Sequence, residues 1–328
     1  DPGIEVIATA SDPYDAVKKI RQETPDVITL DIEMPGMDGL TFLKKIMNQH
    51  PIPVVMISSL TTKGSSSAIK ALQYGAVEVI AKPKVDTKIH LEESKAQLCH
   101  AIKAASMASI APLRLHRKEK SIENHSTLIS DSQYNSVTLH NTPIIYIGAS
   151  TGGTQIITHI LQNLSPPCPP ILIVQHMPAE FTRLFAQRLN KLSSLCVKEA
   201  QEGDIVRNSC VYVAPGGKHM LINKNTQYYL IELNEKDVVN RHRPSVDVLF
   251  NSALQANAEQ SIAILLTGMG EDGAQGLANL KDKGASTITQ EESSCAVYGM
   301  PRKAVEYGAA KYIYNPDEMI QFIQEIQN

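Results

Sequence analysis

Along most of the chain, short apolar runs alternate with stretches whose apolar residues recur every three or four positions. That alternation is what βαβ units and parallel sheets produce. In the first part the runs are residues 27–30, 53–58 and 77–81, separated by helix-like stretches such as 40–48 and 68–73. A parallel strand is covered on both faces, which is why it reads as an uninterrupted apolar run. From about residue 105 to residue 141 the rhythm stops, and the segment is rich in Ser, Asn and charge. This predicts a linker with one frayed helix. Its basic cluster (Arg114, His116, Arg117, Lys118, Lys120) reads as a solvated face, because no aromatic residue interleaves it and Glu119 interrupts it. The rhythm then returns with runs 144–147, 171–174, 211–213, 262–266 and 286–289. Residues 227–233 also look extended, and an antiparallel hairpin with 211–213 is expected. The chain shows no internal repeat.

Length turns this pattern into two domains. At about 150 residues per domain, 328 residues make two. Each is large enough for its own core without disulfide or metal support. A composition 43% hydrophobic and 20% charged is that of an ordinary soluble globular protein. Lys and Arg number 31 against 34 Asp and Glu, a net charge of −3, which argues against nucleic acid as the main ligand. No apolar run reaches the ~18 residues of a membrane span and no signal peptide opens the chain, so a cytoplasmic protein without membrane insertion is expected. Cys99, Cys168, Cys196, Cys210 and Cys295 are scattered, and none forms a Cys-x-x-Cys pair. Neither a disulfide framework nor a zinc site is indicated.

Chemistry-bearing residues fall at the ends of successive runs in the first domain. Asp31 follows residues 27–30, and the loop Met34-Pro35-Gly36-Met37-Asp38-Gly39 follows it. Ser58 ends the second run. Lys82 ends the third and precedes Pro83, where a cis peptide would be unremarkable. Singly these are a helix cap, a loop hydroxyl and a surface charge. Together, at the carboxyl edge of a parallel sheet, they suit a phosphoryl group on the aspartate with the hydroxyl and ammonium touching its oxygens.

With these residues the chain resembles the receiver domain of bacterial response regulators over residues 1–104. The resemblance implies that Asp31 is the phosphoacceptor, that Ser58 and Lys82 contact the phosphate, and that Mg²⁺ assists. Receivers hold that ion partly with an acidic pair after their first strand. Here Asp1-Pro2-Gly3 stand where the resemblance would have the first helix already ended, so the given sequence is expected to lack one strand and one helix, about 25 residues. Of the metal ligands Asp31 alone is present. Weak or absent phosphorylation and poor regulation are therefore expected, and robust labelling of Asp31 by acetyl phosphate would contradict this. Val79 occupies the place of the aromatic switch residue of many receivers.

In the second domain the run 144–147 enters Gly148-Ala149-Ser150-Thr151-Gly152-Gly153, a Gly-x-Ser-x-Gly turn. Such a turn can expose a nucleophile between strand and helix, though a plain glycine-rich turn with a serine cap has the same letters. Run 171–174 ends in Gln175-His176-Met177-Pro178, and run 262–266 in Thr267-Gly268-Met269-Gly270-Glu271-Asp272-Gly273. A lone histidine is more often packed or capping than basic; its place directly after a buried strand changes that balance. Ser, His and Asp delivered to one sheet edge are the nucleophile, base and orienter of acyl transfer. The last turn is also formally Gly-x-Gly-x-x-Gly, with Glu291 and Glu292 about twenty residues on. A dinucleotide is nevertheless disfavoured, because the turn comes late in the domain and Glu271 and Asp272 would face a pyrophosphate.

The order Ser, His, Asp is not that of α/β-hydrolases. The domain resembles the catalytic domain of the protein-glutamate methylesterases of bacterial chemotaxis, the CheB family. The matching stretches are the three turns above, Phe181-Thr182-x-x-Phe185-Ala186-x-Arg188-Leu189, Ala214-Pro215-Gly216-Gly217 and Arg241-His242-Arg243-Pro244-Ser245-Val246-Asp247. The fold implied is two parallel-sheet α/β domains, an N-terminally truncated flavodoxin-like receiver (1–104) and a CheB-type methylesterase domain (141–328), joined by the linker 105–140. The resemblance implies a catalytic set of Ser150, His176 and Asp272, with amides near Met269 and Thr151 for the oxyanion. It implies hydrolysis of glutamyl methyl esters on methyl-accepting chemotaxis receptors, deamidation of some receptor glutamines, phosphorylation by the histidine kinase CheA, and no cofactor for catalysis. Arg188, Arg241, His242 and Arg243 are candidates for the substrate surface, although the last three could equally anchor their loop. Phe181, Phe185 and Leu189 form one helical stripe that reads as core. A phospho-dependent scaffold with an inert hydrolase domain is the other class; the complete Ser, His, Asp set favours the enzyme.

Overall fold

The computed structural model describes residues 1–34, 37–59, 62–82, 88–111 and 142–327. Most of the expected linker, its basic cluster and Pro83 lie outside the described residues. Two compact units divide the chain, Asp1–Arg117 and Lys118–Asn328.

In the first unit α1 (Pro13–Gln22) starts where the Asp12 carboxylate accepts from the amides of Tyr14 and Asp15. Pro13 fills the first helical position, where no N–H is needed. Then come β1 (Ile28–Asp31), α2 (Gly39–Gln49), β2 (Val54–Ser58), α3 (Thr62–Gln73), β3 (Glu78–Ala81) and α4 (Lys88–Ser106). Asp38 caps α2 by accepting from the Thr41 amide and hydroxyl. The strands are parallel in the order β1-β2-β3, with Asp31 opposite Ile57 and Ser58 opposite Ala81. This register brings the carboxyl ends of all three strands to one edge. Residues 4–10 join no ladder among the described residues, and Val6 is 75% exposed.

The second unit runs β4 (Ile144–Ala149), α5 (Gly153–Gln162), β5 (Ile171–Gln175), α6 (Ala179–Leu192), β6 (Cys196–Glu199), β7 (Cys210–Val213), β8 (His219–Lys224) and β9 (Tyr229–Asn234). It continues with α7 (Val246–Asn257), β10 (Ser261–Leu265), α8 (Ala274–Asp282), β11 (Ser286–Gln290), α9 (Met300–Glu306), β12 (Tyr312–Tyr314) and α10 (Pro316–Gln327). Seven strands form one parallel sheet in the order β12-β11-β10-β4-β5-β7-β6. β4 lies between β10 and β5, so the strand order reverses there, and a crevice opens above its carboxyl end.

The hairpin differs from expectation. β9 pairs antiparallel with β8, while β7 lies inside the parallel sheet between β5 and β6. All four residues of β7 are buried. An all-apolar strand needs cover on both faces, which an inner place in the sheet gives and an exposed hairpin does not. One core cluster includes Tyr146, Leu172, Val174, Tyr212, Phe250, Leu265 and Leu277. At about 1.5–3 kcal/mol for each large side chain removed from water, this packing holds the sheet on which the site is built.

Candidate active site

Ser150 stands one residue past β4, and its backbone is fixed on every side. Its amide donates to the Thr267 carbonyl at 3.0 Å, and its carbonyl accepts from the Gly153 amide at 2.8 Å and Gln175 Nε2 at 2.9 Å. Gly152, with φ of +81°, turns the chain into α5 through a left-handed conformation that disfavours a side chain. From the opposite side the turn after β10 approaches closely. A Cβ on Gly268 would lie 2.4 Å from Met300 Sδ and 2.6 Å from Ser150 Cβ. Gly268→Ala is therefore expected to destabilise the fold by about 1–3 kcal/mol through overpacking and to slow turnover by displacing Ser150. Denaturant unfolding and steady-state kinetics read the two effects.

His176 follows β5, its amide donating to the Ala149 carbonyl at 3.0 Å. Its side chain is only 7% exposed, and Nε2 meets Asp272 Oδ2 at 2.8 Å. A carboxylate only accepts, so Nε2 carries the proton and Nδ1 is left as the basic nitrogen. Nδ1 is buried and has no hydrogen-bond partner. The Ser150 hydroxyl makes no hydrogen bond to this nitrogen, and such bonds are often long or unmade in active sites without substrate.

Asp272 is 2% exposed and saturated with donors. Oδ2 accepts from His176 and from the Val246 amide at 2.7 Å. Oδ1 accepts from Ser245 Oγ at 2.7 Å, Asn240 Nδ2 at 2.9 Å and the Asp247 amide at 3.3 Å. Burial by itself pushes this carboxyl up. The His176 hydrogen bond and charge, with the Asn240 and Ser245 bonds, outweigh burial and hold it well below the usual carboxylate range. Asn240 Nδ2 also reaches Asp247 Oδ2 at 2.6 Å. Burial pushes the Asp247 carboxyl up, and the neighbouring Asp272 charge adds to that.

One loop supplies most of these partners. A backbone bridge joins Val239 and His242 around Asn240 and Arg241, which take φ of +51° and +68°. Two consecutive positive φ values are the signature of a type I′ turn, here without glycine. The turn lays the His242 ring flat against the His176 ring, centroids 3.7 Å apart and planes 7° from parallel. Arg243 Nη1 donates to the carbonyls of Glu235 and Lys236 at 2.8 and 2.9 Å. Of the surface candidates, Arg243 therefore anchors its loop, Arg241 is exposed and Arg188 is half-buried. Phe181, Phe185 and Leu189 are core.

For the oxyanion, the Met269 amide, which follows the Gly268 that approaches Ser150, makes no hydrogen bond among the described residues. Thr151 is buried, its carbonyl accepting from Thr267 Oγ1 at 3.0 Å. The turn is not shaped for a pyrophosphate, since the Gly276 amide in the first turn of α8 already donates to Asp247 Oδ1 at 2.7 Å. Sequence reasoning missed Asn240, Ser245 and Asp247 as holders of Asp272. The one readable signal was Ser245 opening a helix, where it caps the Val248 amide.

In the first unit the structure brings Lys82 Nζ to Asp31 Oδ2 at 2.5 Å, while Asp31 Oδ1 accepts from the Glu33 amide at 3.1 Å. Ser58 is buried and its hydroxyl donates to the Ser59 carbonyl. A magnesium ion needs several oxygen ligands. Both Asp31 oxygens are engaged, and among the described residues no three His, Cys, Asp or Glu side chains converge. These residues do not by themselves fit the ion.

The geometry can be set beside known proteins. The CheB methylesterase family pattern matches residues 145–323, and the response regulator receiver domain pattern matches residues 1–92. The chain belongs to the CheB methylesterase family. A protein-glutamate methylesterase/protein-glutamine glutaminase 3 of Geobacter metallireducens is 48% identical over 312 residues, 94% of this chain and 88% of that protein. A protein-glutamate methylesterase/protein-glutamine glutaminase 2 of Oleidesulfovibrio alaskensis is 48% identical over 309 residues, 94% and 87% of the two. The crystal structure of the Thermotoga maritima CheB methylesterase catalytic domain is 35% identical, with a TM-score of 0.55, and covers 56% of this chain and 98% of that one. As in that family, receiver precedes esterase here. Among the described residues no helix is long and apolar enough to cross a membrane.

Proposed function

We propose that this chain hydrolyses glutamyl methyl esters on methyl-accepting chemotaxis receptors, releasing methanol, and deamidates some receptor glutamines. It does so in the cytoplasm as an adaptation enzyme. The observation that supports the reading is the His176 Nε2 contact to Asp272 Oδ2 at 2.8 Å, made at the ends of strands that flank the strand leading to Ser150.

Ser150 Oγ attacks the ester carbonyl carbon while His176 Nδ1 takes the hydroxyl proton. Asp272 stabilises the resulting imidazolium without itself accepting a proton. The tetrahedral oxyanion is held by the Met269 amide, with the Thr151 amide as second candidate; one such donor typically contributes about 3 kcal/mol. Collapse breaks the bond to the methoxy oxygen, which leaves as methanol with the proton from Nδ1. Water, deprotonated by the same nitrogen, then releases the glutamate carboxylate and restores the serine. With a glutamine substrate the leaving group is ammonia. No cofactor enters these steps. The side chain attacked lies on a long receptor helix, so recognition uses a shallow surface, to which the exposed Arg241 contributes.

Control comes through the receiver. Asp31 accepts a phosphoryl group from the histidine kinase CheA, and Lys82, already paired with it, moves onto the phosphoryl oxygens. Because the residues around Asp31 do not by themselves fit the magnesium ion, its labelling by acetyl phosphate is expected to be weak or absent, and whatever label intact-mass measurement finds should vanish in Asp31→Asn.

Methanol release from methylated receptor membranes tests the main reading. Release, together with a fluorophosphonate adduct on Ser150, is the expected result. No methanol above a membrane-only control would overturn it.

A further inference from the structure

His176 has one hydrogen-bonded anchor, the Nε2 contact to Asp272, because its Nδ1 is unpartnered. A ring held at one atom can still swing about its Cβ–Cγ bond, and any swing carries the basic nitrogen away from Ser150. A second restraint acts on the ring's face. The His242 imidazole lies 3.7 Å away and 7° from parallel. His242 is itself held by reciprocal backbone bonds, its amide donating to the Val239 carbonyl at 2.8 Å and its carbonyl accepting from the Val239 amide at 3.1 Å. Asn240, at the tip of the same turn, donates to Asp272. Arg243, just beyond, is tied to the carbonyls of Glu235 and Lys236. One short loop therefore fixes both the acid and the plane of the base.

We propose that His242 is a positioning residue that holds the His176 ring, by face-to-face stacking, in the plane where Nδ1 meets the Ser150 hydroxyl. It acts through the His176 ring on which it stacks. The inference rests on the reading of Ser150 and His176 as nucleophile and base. It also accounts for a two-residue turn built on non-glycine residues at positive φ, a conformation of order 1–3 kcal/mol above the ordinary regions that surrounding structure must hold in place.

The test compares His242→Ala with His242→Phe in methanol release, beside wild type and Ser150→Ala. A misplacement on the order of 1 Å can lower a rate about 100-fold. His242→Ala is accordingly expected to lose 10- to 100-fold in kcat with KM within about twofold and an unchanged unfolding midpoint. His242→Phe keeps a flat ring without an ionisable group and is expected to recover most of that loss. Imidazole nitrogen NMR supplies a readout apart from turnover, in which His176 changes from a fixed Nε2–H tautomer in wild type to an averaged one in His242→Ala. The proposal is overturned if His242→Ala stays within twofold of wild-type kcat. It is equally overturned if His242→Phe is as impaired as His242→Ala, since the imidazole would then act by its own chemistry. Unimpaired Ser150→Ala would instead sink the nucleophile assignment, which keeps the two failures apart.

Discussion

Replacing Ser150 by alanine is expected to lower methanol release by about 10⁴-fold or more while leaving the fold intact. The magnitude follows from removing a nucleophile that acts as a unit with its base, which leaves only the oxyanion donors and binding to accelerate the reaction. The separation from stability follows from the hydrogen bonds. The turn at Ser150 is held through its amide and carbonyl, bonded to Thr267, Gly153 and Gln175, and alanine preserves all three. The side-chain hydroxyl contributes little beside them, so the unfolding free energy should change by less than about 1 kcal/mol. Turnover within tenfold of wild type in purified Ser150→Ala would move the nucleophile elsewhere.

Asp272→Asn should fail in both respects. An uncharged amide cannot stabilise the imidazolium or fix its tautomer in the same way, and a change of this kind lowers kcat by about 10⁴-fold in a triad. The structure adds a second penalty. Both carboxylate oxygens accept from N–H or O–H donors, Oδ1 from Asn240, Ser245 and Asp247, Oδ2 from His176 and Val246. Whichever way the new amide is oriented, its NH₂ faces donors. A buried polar group left unsatisfied costs about 1–3 kcal/mol, and unfolding midpoints should fall accordingly. The pH dependence has a definite sign. The native Asp272 carboxyl sits below its ordinary value, near 3.9 when unfolded, so its stabilisation is present above that pH and is lost as pH falls below it. Wild type should therefore lose its stability advantage over Asp272→Asn progressively as the pH falls below about 4. Parallel pH-stability curves would contradict the assignment of this carboxylate.

How far the sequence could be read depended on how local each signal was. The buried strands declared themselves because Ile144, Ile145 and Ile147, or Ile171 to Val174, must be apolar on both faces. Ser150, His176 and Asp272 stand at strand ends, and strand ends of one parallel sheet share an edge, so the contact of His176 with Asp272 was legible without coordinates. The hairpin was not. His219, Asn223 and Lys224 interrupt the apolar pattern of β8, and the more continuous 211–213 drew the pairing instead. The holders of Asp272 were hidden for another reason. Asn240 reaches it only because two non-glycine residues adopt positive φ, and no residue type announces that conformation. The flat contact of His242 on His176 depends on the same turn, and a basic triplet reads from sequence alone as a charged surface.

The order in which the central strands leave the ribosome has its own consequence. β4 and β5 deliver the alcohol and the imidazole, but the acid arrives only after β10, which inserts beside β4 from much farther along the chain. A nascent polypeptide released through β9 holds two members of the set and an unoccupied sheet edge where the third belongs. On the proposed mechanism, ester cleavage must therefore await the docking of β10 beside β4.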